Sequence, residues 1–99
     1  MKTLIAVHEV ENPEHWAHAW RQGPGGRHEM FATIGVTART FRDPRNAHLT
    51  GLILEVPDLD RFEAFIRSPE GIRAMQEDGI RPGSLRILAH FSPQVSVMG

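Results

Sequence analysis

The chain has 99 residues, of which 40% are hydrophobic and 23% charged, as in an ordinary globular domain. Eleven basic and twelve acidic side chains give a net charge of −1, so the basic excess typical of nucleic-acid and membrane-surface binders is missing. The absence of cysteine excludes disulfides and thiolate chemistry, and no apolar run approaches the roughly 20 residues that span a bilayer. We therefore expect a cytoplasmic protein that has no nucleic-acid or membrane partner.

The chain begins with a predicted strand and a short helix. Residues 3–10 form an apolar run rich in β-formers. Asn12 then stands before Pro13, which is the order of an N-cap and a first helical residue. The helix extends to about Arg21, because the glycine- and proline-rich segment 23–26 must end it.

A second short helix and a hairpin follow. The apolar residues within 30–34 share one side of a helix, and Gly35 is the expected C-cap. Residues 36–41 and 48–56 read as strands, and the segment 43–46 between them reads as a turn.

The last third predicts an interrupted helix, a strand and a tail. A helix opens after Pro57 with an apolar stripe at helical spacing, formed by Leu59, Phe62, Phe65 and Ile66. Ser68 restarts it as a further segment that ends at Gly79. Residues 85–91 read as the last strand, so we expect one domain over 1–91 and a C-terminal tail over 92–99, either disordered or added as a strand to a partner.

This order predicts an α+β fold of the ferredoxin-like β-α-β-β-α-β type, with the helices on one face of an antiparallel sheet. The first strand is apolar on both sides, with Ile5 and Val7 on one side and Leu4 and Ala6 on the other. A sheet that is apolar on both faces needs cover on both, and the helices cover only one. We therefore expect a homodimer that forms through the other face.

The stretch "VPDLDRFEAFIRSPEGIRAM", residues 56–75, resembles the strand, helix and "xxPxG" segment of the dimeric α+β barrel superfamily. The resemblance extends over residues 2–91 and is one of pattern. The superfamily includes small antibiotic biosynthesis monooxygenases, haem-degrading enzymes, muconolactone isomerases and polyketide cyclases. It implies a small-molecule pocket between the sheet and its own helices, often without a cofactor.

The functional residues of these relatives mostly do not carry over. Plant-type polyketide cyclases use histidines at three places that hold Thr3, Leu52 and Gly71 here. Haem-degrading members use a tryptophan and a histidine on the second helical segment, and residues 58–78 contain neither. The resemblance therefore implies a fold and a pocket rather than a particular reaction.

The stretch "HEVENPEHWAHAW", residues 8–20, concentrates histidines and tryptophans. On a helical wheel Trp16 and Trp20 share the inward side, whereas His18 lies opposite and His15 near it. The pair His15 and His18 has the three-residue spacing of a helical metal site, but no further ligand stands at a fixed spacing. We therefore predict no metal and no cofactor.

Two other histidines are the catalytic candidates. His8 ends the first strand and His48 begins the third, so both lie at one edge of the sheet, where imidazoles can move protons at neutral pH. We expect a substrate pocket of roughly 300 Å³ or more between helices and sheet. The substrate-binding candidates are Trp16, Trp20, Phe62 and Phe65 as walls and Arg39 as an anion holder, unless Arg39 pairs with Glu55.

Two functions remain open at this point. One is a small cofactor-independent enzyme that acts on an apolar or aromatic metabolite by acid–base chemistry, as an isomerase, cyclase or monooxygenase-like protein. The other is a non-catalytic homodimer that binds a small ligand or has a structural role.

Overall fold

Eight secondary-structure elements form the part of the chain that the structure describes. The computed structural model describes residues 1–93, and its elements are β1 (Lys2–Glu9), α1 (Pro13–Ala19), α2 (Arg27–Ala32), β2 (Thr37–Asp43), β3 (Asn46–Val56), α3 (Leu59–Arg67), α4 (Pro69–Glu77) and β4 (Arg86–Ala89). The predicted order of elements is confirmed. The predicted C-terminal tail lies mostly outside the described residues.

The four strands form one antiparallel sheet in the order β2-β3-β1-β4. In the centre of the sheet Leu4 pairs with Leu54 and Ile5 with Ile53. A tight turn at Pro44 and Arg45 joins β2 to β3, and β4 pairs with the other side of β1. This is the strand order of the ferredoxin-like α+β fold, so the predicted fold class is confirmed.

Side-chain alternation along β1 decides which residues meet the helices. Leu4, Ala6 and His8 are buried, whereas Ile5 is half exposed and Val7 only partly covered. The buried set lies on the face that the helices cover, since it belongs to the same core as Phe31 on α2. His8 therefore points under the helices, and Ile5 lies on the uncovered face, which we call the open face.

Local sequence signals set the starts of the helices. Asn12 caps α1, because its side-chain oxygen accepts hydrogen bonds from the N–H groups of Glu14 and His15 at 3.1 and 3.0 Å. Asp58 caps α3 in the same way. Ser68 ends α3 and caps α4, where its hydroxyl oxygen accepts a hydrogen bond from the N–H of Gly71.

Trp16 of α1 and Trp20 at its C-cap lie in the core, as the helical wheel predicted. Trp16 and Trp20 are buried, and His15 and His18 are exposed. The core also contains Phe31 and apolar side chains of β1 and β3. Within residues 1–93, none of the helices is both long and apolar enough to cross a membrane.

Candidate functional site

A cavity of about 50 Å³ lies between the sheet and the helices. Its walls include Trp20, Phe62 and Phe65, three of the residues predicted to bind substrate. The volume is much smaller than the predicted 300 Å³ or more, since a water molecule in the liquid takes up about 30 Å³. The cavity is small because bulky side chains from α2, α3 and α4 meet over the sheet.

His8 is the most buried polar side chain at the cavity wall, with 1% of its surface exposed. Neither Nδ1 nor Nε2 has a hydrogen-bond partner among residues 1–93. Burial lowers the pKa of His8 from 6.5 to about 4, because the charged imidazolium loses its hydration. At neutral pH His8 is therefore a neutral imidazole, which can accept a proton or a hydrogen bond.

A chain of aromatic rings begins beside His8 and continues towards α2. The ring of Trp16 meets His8 edge-on, with centroids 5.9 Å apart. Trp20 stacks on Phe31 at 5.5 Å, and Phe31 in turn contacts Phe65. Of the two predicted tryptophan walls only Trp20 lines the cavity, whereas Trp16 supports His8 from the side.

An ion pair forms the polar part of the same wall. Nε of Arg27 donates to both carboxylate oxygens of Asp78, at 2.9 and 3.2 Å, and Nη2 donates to Glu77 at 3.1 Å. Arg27 begins α2 and Asp78 ends α4, so the pair ties two helices together over the cavity. Burial raises the pKa of the Asp78 carboxyl, and the hydrogen bond from Arg27 opposes that change.

The sequence interpretation missed Arg27 and Asp78. They are 51 residues apart, and each stands beside a glycine that ends or precedes a helix, where a charged residue is ordinarily exposed. The one available signal was their position, since both occupy the helix ends that a ferredoxin-like topology brings to the same side of the sheet. Arg27 and Asp78 are buried because α2 packs against the end of α4, and the spacing of residues along the sequence does not reveal that contact.

Besides Trp16, two predicted site residues lie outside the cavity wall. His48 lies near the start of β3, where its Nδ1 is 2.8 Å from the carbonyl oxygen of Val10. Arg39 pairs in register with Ile53 and therefore lies on the open face, opposite the cavity. Glu55 accepts a hydrogen bond from Thr3 instead of pairing with Arg39. The structure thus brings His8 to the cavity, but not His48 or Arg39.

The surface histidines of α1 do not build a metal site in the described part of the chain. His15 contacts the carbonyl oxygen of Glu77 through Nε2 at 2.6 Å, and His18 is exposed. Across residues 1–93, no three side chains of the ligand types His, Asp and Glu converge as metal ligands would.

Comparison with solved structures finds the same fold in other proteins. An antibiotic biosynthesis monooxygenase superposes with a TM-score of 0.68 at 12% identity, over 95% of this chain and 100% of its own. A protein of Nitrosomonas europaea with the same name gives 0.66 at 11% identity, over 93% of this chain and 98% of its own. The chain shares its fold with these proteins.

A third protein of that name, from Deinococcus radiodurans, gives a TM-score of 0.54 at 14% identity, over 100% of both chains. No protein-family model matches the chain, and neither does any curated protein. The predicted ferredoxin-like α+β fold is thus confirmed. Sequence identities of 11–14% do not establish that this chain has the activity of these proteins.

Proposed function

We propose that the protein is a small cofactor-independent enzyme that moves a proton of an apolar or aromatic metabolite bound between the helices and the sheet. The observation that carries this proposal is His8, a buried imidazole without a protein partner at the wall of an apolar cavity. Buried polar groups without a partner are rare in folded proteins and call for an explanation, such as a catalytic role. A ligand that hydrogen-bonds to His8 supplies one.

The reaction begins with His8 as a neutral base. A ring nitrogen takes a proton from a carbon next to a carbonyl group, and the C–H electron pair moves onto the oxygen as an enolate. In a β,γ-unsaturated ketone the enolate is conjugated with the double bond, so return of that proton from the imidazolium to the γ-carbon gives the α,β-unsaturated isomer, with no atom or electron gained or lost. Cyclisation or oxygenation by O2 can start from the same enolate. The same first step therefore serves an isomerase, a cyclase or a monooxygenase-like enzyme.

Substrate entry requires that the wall of the cavity move. Small-molecule sites usually measure about 300–1,000 Å³, and this cavity measures about 50 Å³. Met30 and Met75 belong to the wall, and methionine side chains adapt readily to a new shape. The loop 23–26 precedes α2 and contains two glycines at positive φ, Gly23 and Gly25, so it supplies a hinge for displacing that helix.

The open face supports the homodimer that we propose as the functional unit. Ile5 on β1, Leu88 on β4 and Phe41 on β2 are all exposed large hydrophobic residues. Ile5 and Leu88 are direct partners in the sheet, so they form a continuous apolar surface. Contiguous apolar surface of this kind marks an interaction site.

The second candidate is a homodimer without catalysis. The observation that favours it is the cavity volume of about 50 Å³, which leaves room for little more than water in this conformation. In this alternative the ion pair of Arg27 and Asp78 only holds the helices together.

Deuterium exchange into a simple aromatic ketone tests the proposal without knowledge of the natural substrate. We expect the protein to accelerate the exchange of the α-protons of 1-tetralone in D2O, followed by NMR. His8→Gln keeps a hydrogen-bonding side chain but removes the base, so the rate should fall by about 10²-fold or more.

His18→Gln is the matched control, because His18 is exposed on α1 and touches no part of the cavity. Its exchange rate should stay within about twofold of the unmodified protein. Equal rates for His8→Gln and the unmodified protein would remove His8 from the mechanism. Absence of both exchange and 1-tetralone binding in the unmodified protein would favour the non-catalytic homodimer.

A further inference from the structure

The register of the sheet arranges the side chains of the open face in rows. One row crosses all four strands and contains Arg39, Ile53, Ile5 and Leu88. The row on one side of it contains Phe41, Gly51, Val7 and Arg86. On the other side Thr37 pairs with Glu55, so Glu55 lies diagonally beside Arg39, on the neighbouring strand. The open face therefore has an apolar centre with one positive and one negative side chain at the same border.

Arg39 and Glu55 do not neutralise each other within one copy of the chain. The side chain of Arg39 is exposed, and Glu55 accepts a hydrogen bond from the hydroxyl of Thr3 at 2.9 Å. The ion pairs among residues 1–93 belong to other arginines, namely Arg27, Arg42, Arg67 and Arg81. A charge that enters an interface without an opposite charge loses its hydration and gains nothing in return. A partner on the open face must therefore offer a carboxylate to Arg39 and a cation to Glu55.

We infer that the partner is a second copy of this chain, placed so that Arg39 binds Glu55 of the partner subunit and two symmetric ion pairs set the orientation of the dimer. The inference rests on the proposed homodimer and adds the contact that fixes how the two copies face each other. A twofold interface repeats every contact, so one Arg39–Glu55 contact between copies implies the second. Complementary charges across an interface select one arrangement of the partners more than they add affinity.

The positions of Arg39 and Glu55 define the twofold axis of this dimer. The axis runs diagonally across the open face, midway between the two residues. It passes close to Ile53 and Ile5, so each of these side chains meets its own copy at the centre of the interface. The strands of the two sheets then cross at a steep angle, which is the orthogonal class of sheet packing.

The same axis gives the other side chains of the face acceptable neighbours. Val7 comes to lie opposite the partner's Leu88, so an apolar side chain meets an apolar side chain. Arg86 lies at the edge of the sheet, where its Nη1 donates to the carbonyl oxygens of Gly83 and Leu85 in its own copy. The two ion pairs therefore enclose one side of an apolar contact.

Other twofold arrangements leave Arg39 without a carboxylate. An axis parallel to the strands, through the middle of the sheet, would set Arg39 against the partner's Leu88. An axis perpendicular to the strands, along the row of Arg39, would set it against Arg39 of the partner subunit. The first removes water from an unpaired guanidinium and the second brings like charges together, and both are unfavourable.

Charge reversal tests the ion pairs, with the dissociation constant of the dimer measured by analytical ultracentrifugation. Arg39→Glu and Glu55→Arg should each raise that constant by about tenfold or more, because each substitution puts two like-charge contacts into the interface. The double variant restores two attractive contacts with reversed signs. Its dissociation constant should return to within about threefold of the unmodified protein.

An equimolar mixture of Arg39→Glu and Glu55→Arg shows whether the contact is made between copies. In the mixed dimer one chain carries two acidic side chains at these positions and the other carries two basic ones, so both contacts are attractive. The mixture should therefore associate about tenfold more tightly than either variant alone. A mixture that associates no more tightly than its components would overturn the inference.

Arg73→Glu is the matched control, because it makes the same change of charge at an exposed residue of α4, away from the open face. Its dissociation constant should stay within about twofold of the unmodified protein. If the unmodified protein is a dimer that neither reversal weakens, the proposed homodimer stands and the ion pairs are wrong. If the unmodified protein is a monomer, the homodimer and the ion pairs are both wrong.

Discussion

At the scale of single residues, His8 combines burial with unused hydrogen-bonding capacity. It stands between the core residues Ala6 and Val10, at a position where β1 otherwise uses apolar side chains. Leaving a buried polar group unpaired costs about 1–3 kcal/mol. A valine at this position would avoid that cost. Histidine therefore lowers the stability of the fold here, and a ligand-binding role explains why it is present.

The pH dependence of stability should reveal this environment. The folded-state pKa of His8 is about 4, below its ordinary 6.5, so the unfolded chain binds the proton first as the pH falls. The contribution of His8 to the free energy of unfolding should therefore be complete above pH 6.5 and decrease towards pH 4, by about 3 kcal/mol in total. Urea unfolding at several pH values measures it.

The variant His8→Gln removes this titration and leaves the other groups in place, including Asp78, whose raised pKa acts in the opposite direction. The unfolding free energy of the unmodified protein minus that of His8→Gln should therefore decrease as the pH falls from 6.5 to 4. A constant difference over that range would show that His8 is not desolvated.

At the scale of elements, the junction of α3 and α4 is fixed by a close backbone approach. Gly71 is buried in the first turn of α4 and lines the cavity. A Cβ at this position would collide with the carbonyl oxygen of Phe65 and crowd Ile66. The "SPEG" sequence at 68–71 therefore sets the angle between the two helices, which places Phe62 and Phe65 over the sheet.

We expect Gly71→Ala to destabilise the protein by about 1–3 kcal/mol, because the added methyl group overpacks the junction. Helix propensity alone predicts the opposite sign, a gain of about 1 kcal/mol for alanine. Thermal or urea unfolding decides between them. Ala64→Gly on the exposed side of α3 measures how much alanine stabilises a helix relative to glycine in this protein. If Gly71→Ala raised the free energy of unfolding by a similar amount, the junction would have space for the added methyl group.

At the scale of the whole molecule, the sheet has one covered and one open face. The helices bury the side chains that alternate with Ile5, while Ile5 and Leu88 remain 42% and 57% exposed. A single copy of the chain leaves this apolar surface in water. A second copy that packs open face to open face would bury it, which is the physical basis of the proposed homodimer.

Light scattering at micromolar concentration should therefore give the mass of a dimer. Ile5→Glu places a charge in the proposed interface and should shift the protein to a monomer. Ile72→Glu is the matched control, because Ile72 is exposed to a similar extent, 45% against 42%, but lies on α4. A monomeric unmodified protein, or equal effects of the two substitutions, would contradict the proposed interface.

The sequence by itself determined the order of elements and the fold class. Asn12 and Ser68 mark helix starts through local hydrogen bonds, and the spacing of Trp16 and Trp20 fixes the inner side of α1. These signals depend on residues a few positions apart, so the sequence alone reveals them. The apolar stripe of α3 likewise predicted that Phe62 faces the sheet, where it lines the cavity.

Only the tertiary structure decided which polar side chains reach the cavity and how large it is. The helices cover the face of β1 that carries His8, so His8 lies at the cavity and Arg39 on the open face. β1 is apolar on both faces, so its sequence does not show which face the helices cover. Arg27 and Asp78 meet across 51 positions of sequence. Such contacts, and the filling of a cavity to about 50 Å³, arise from packing between distant segments, which local periodicity does not encode.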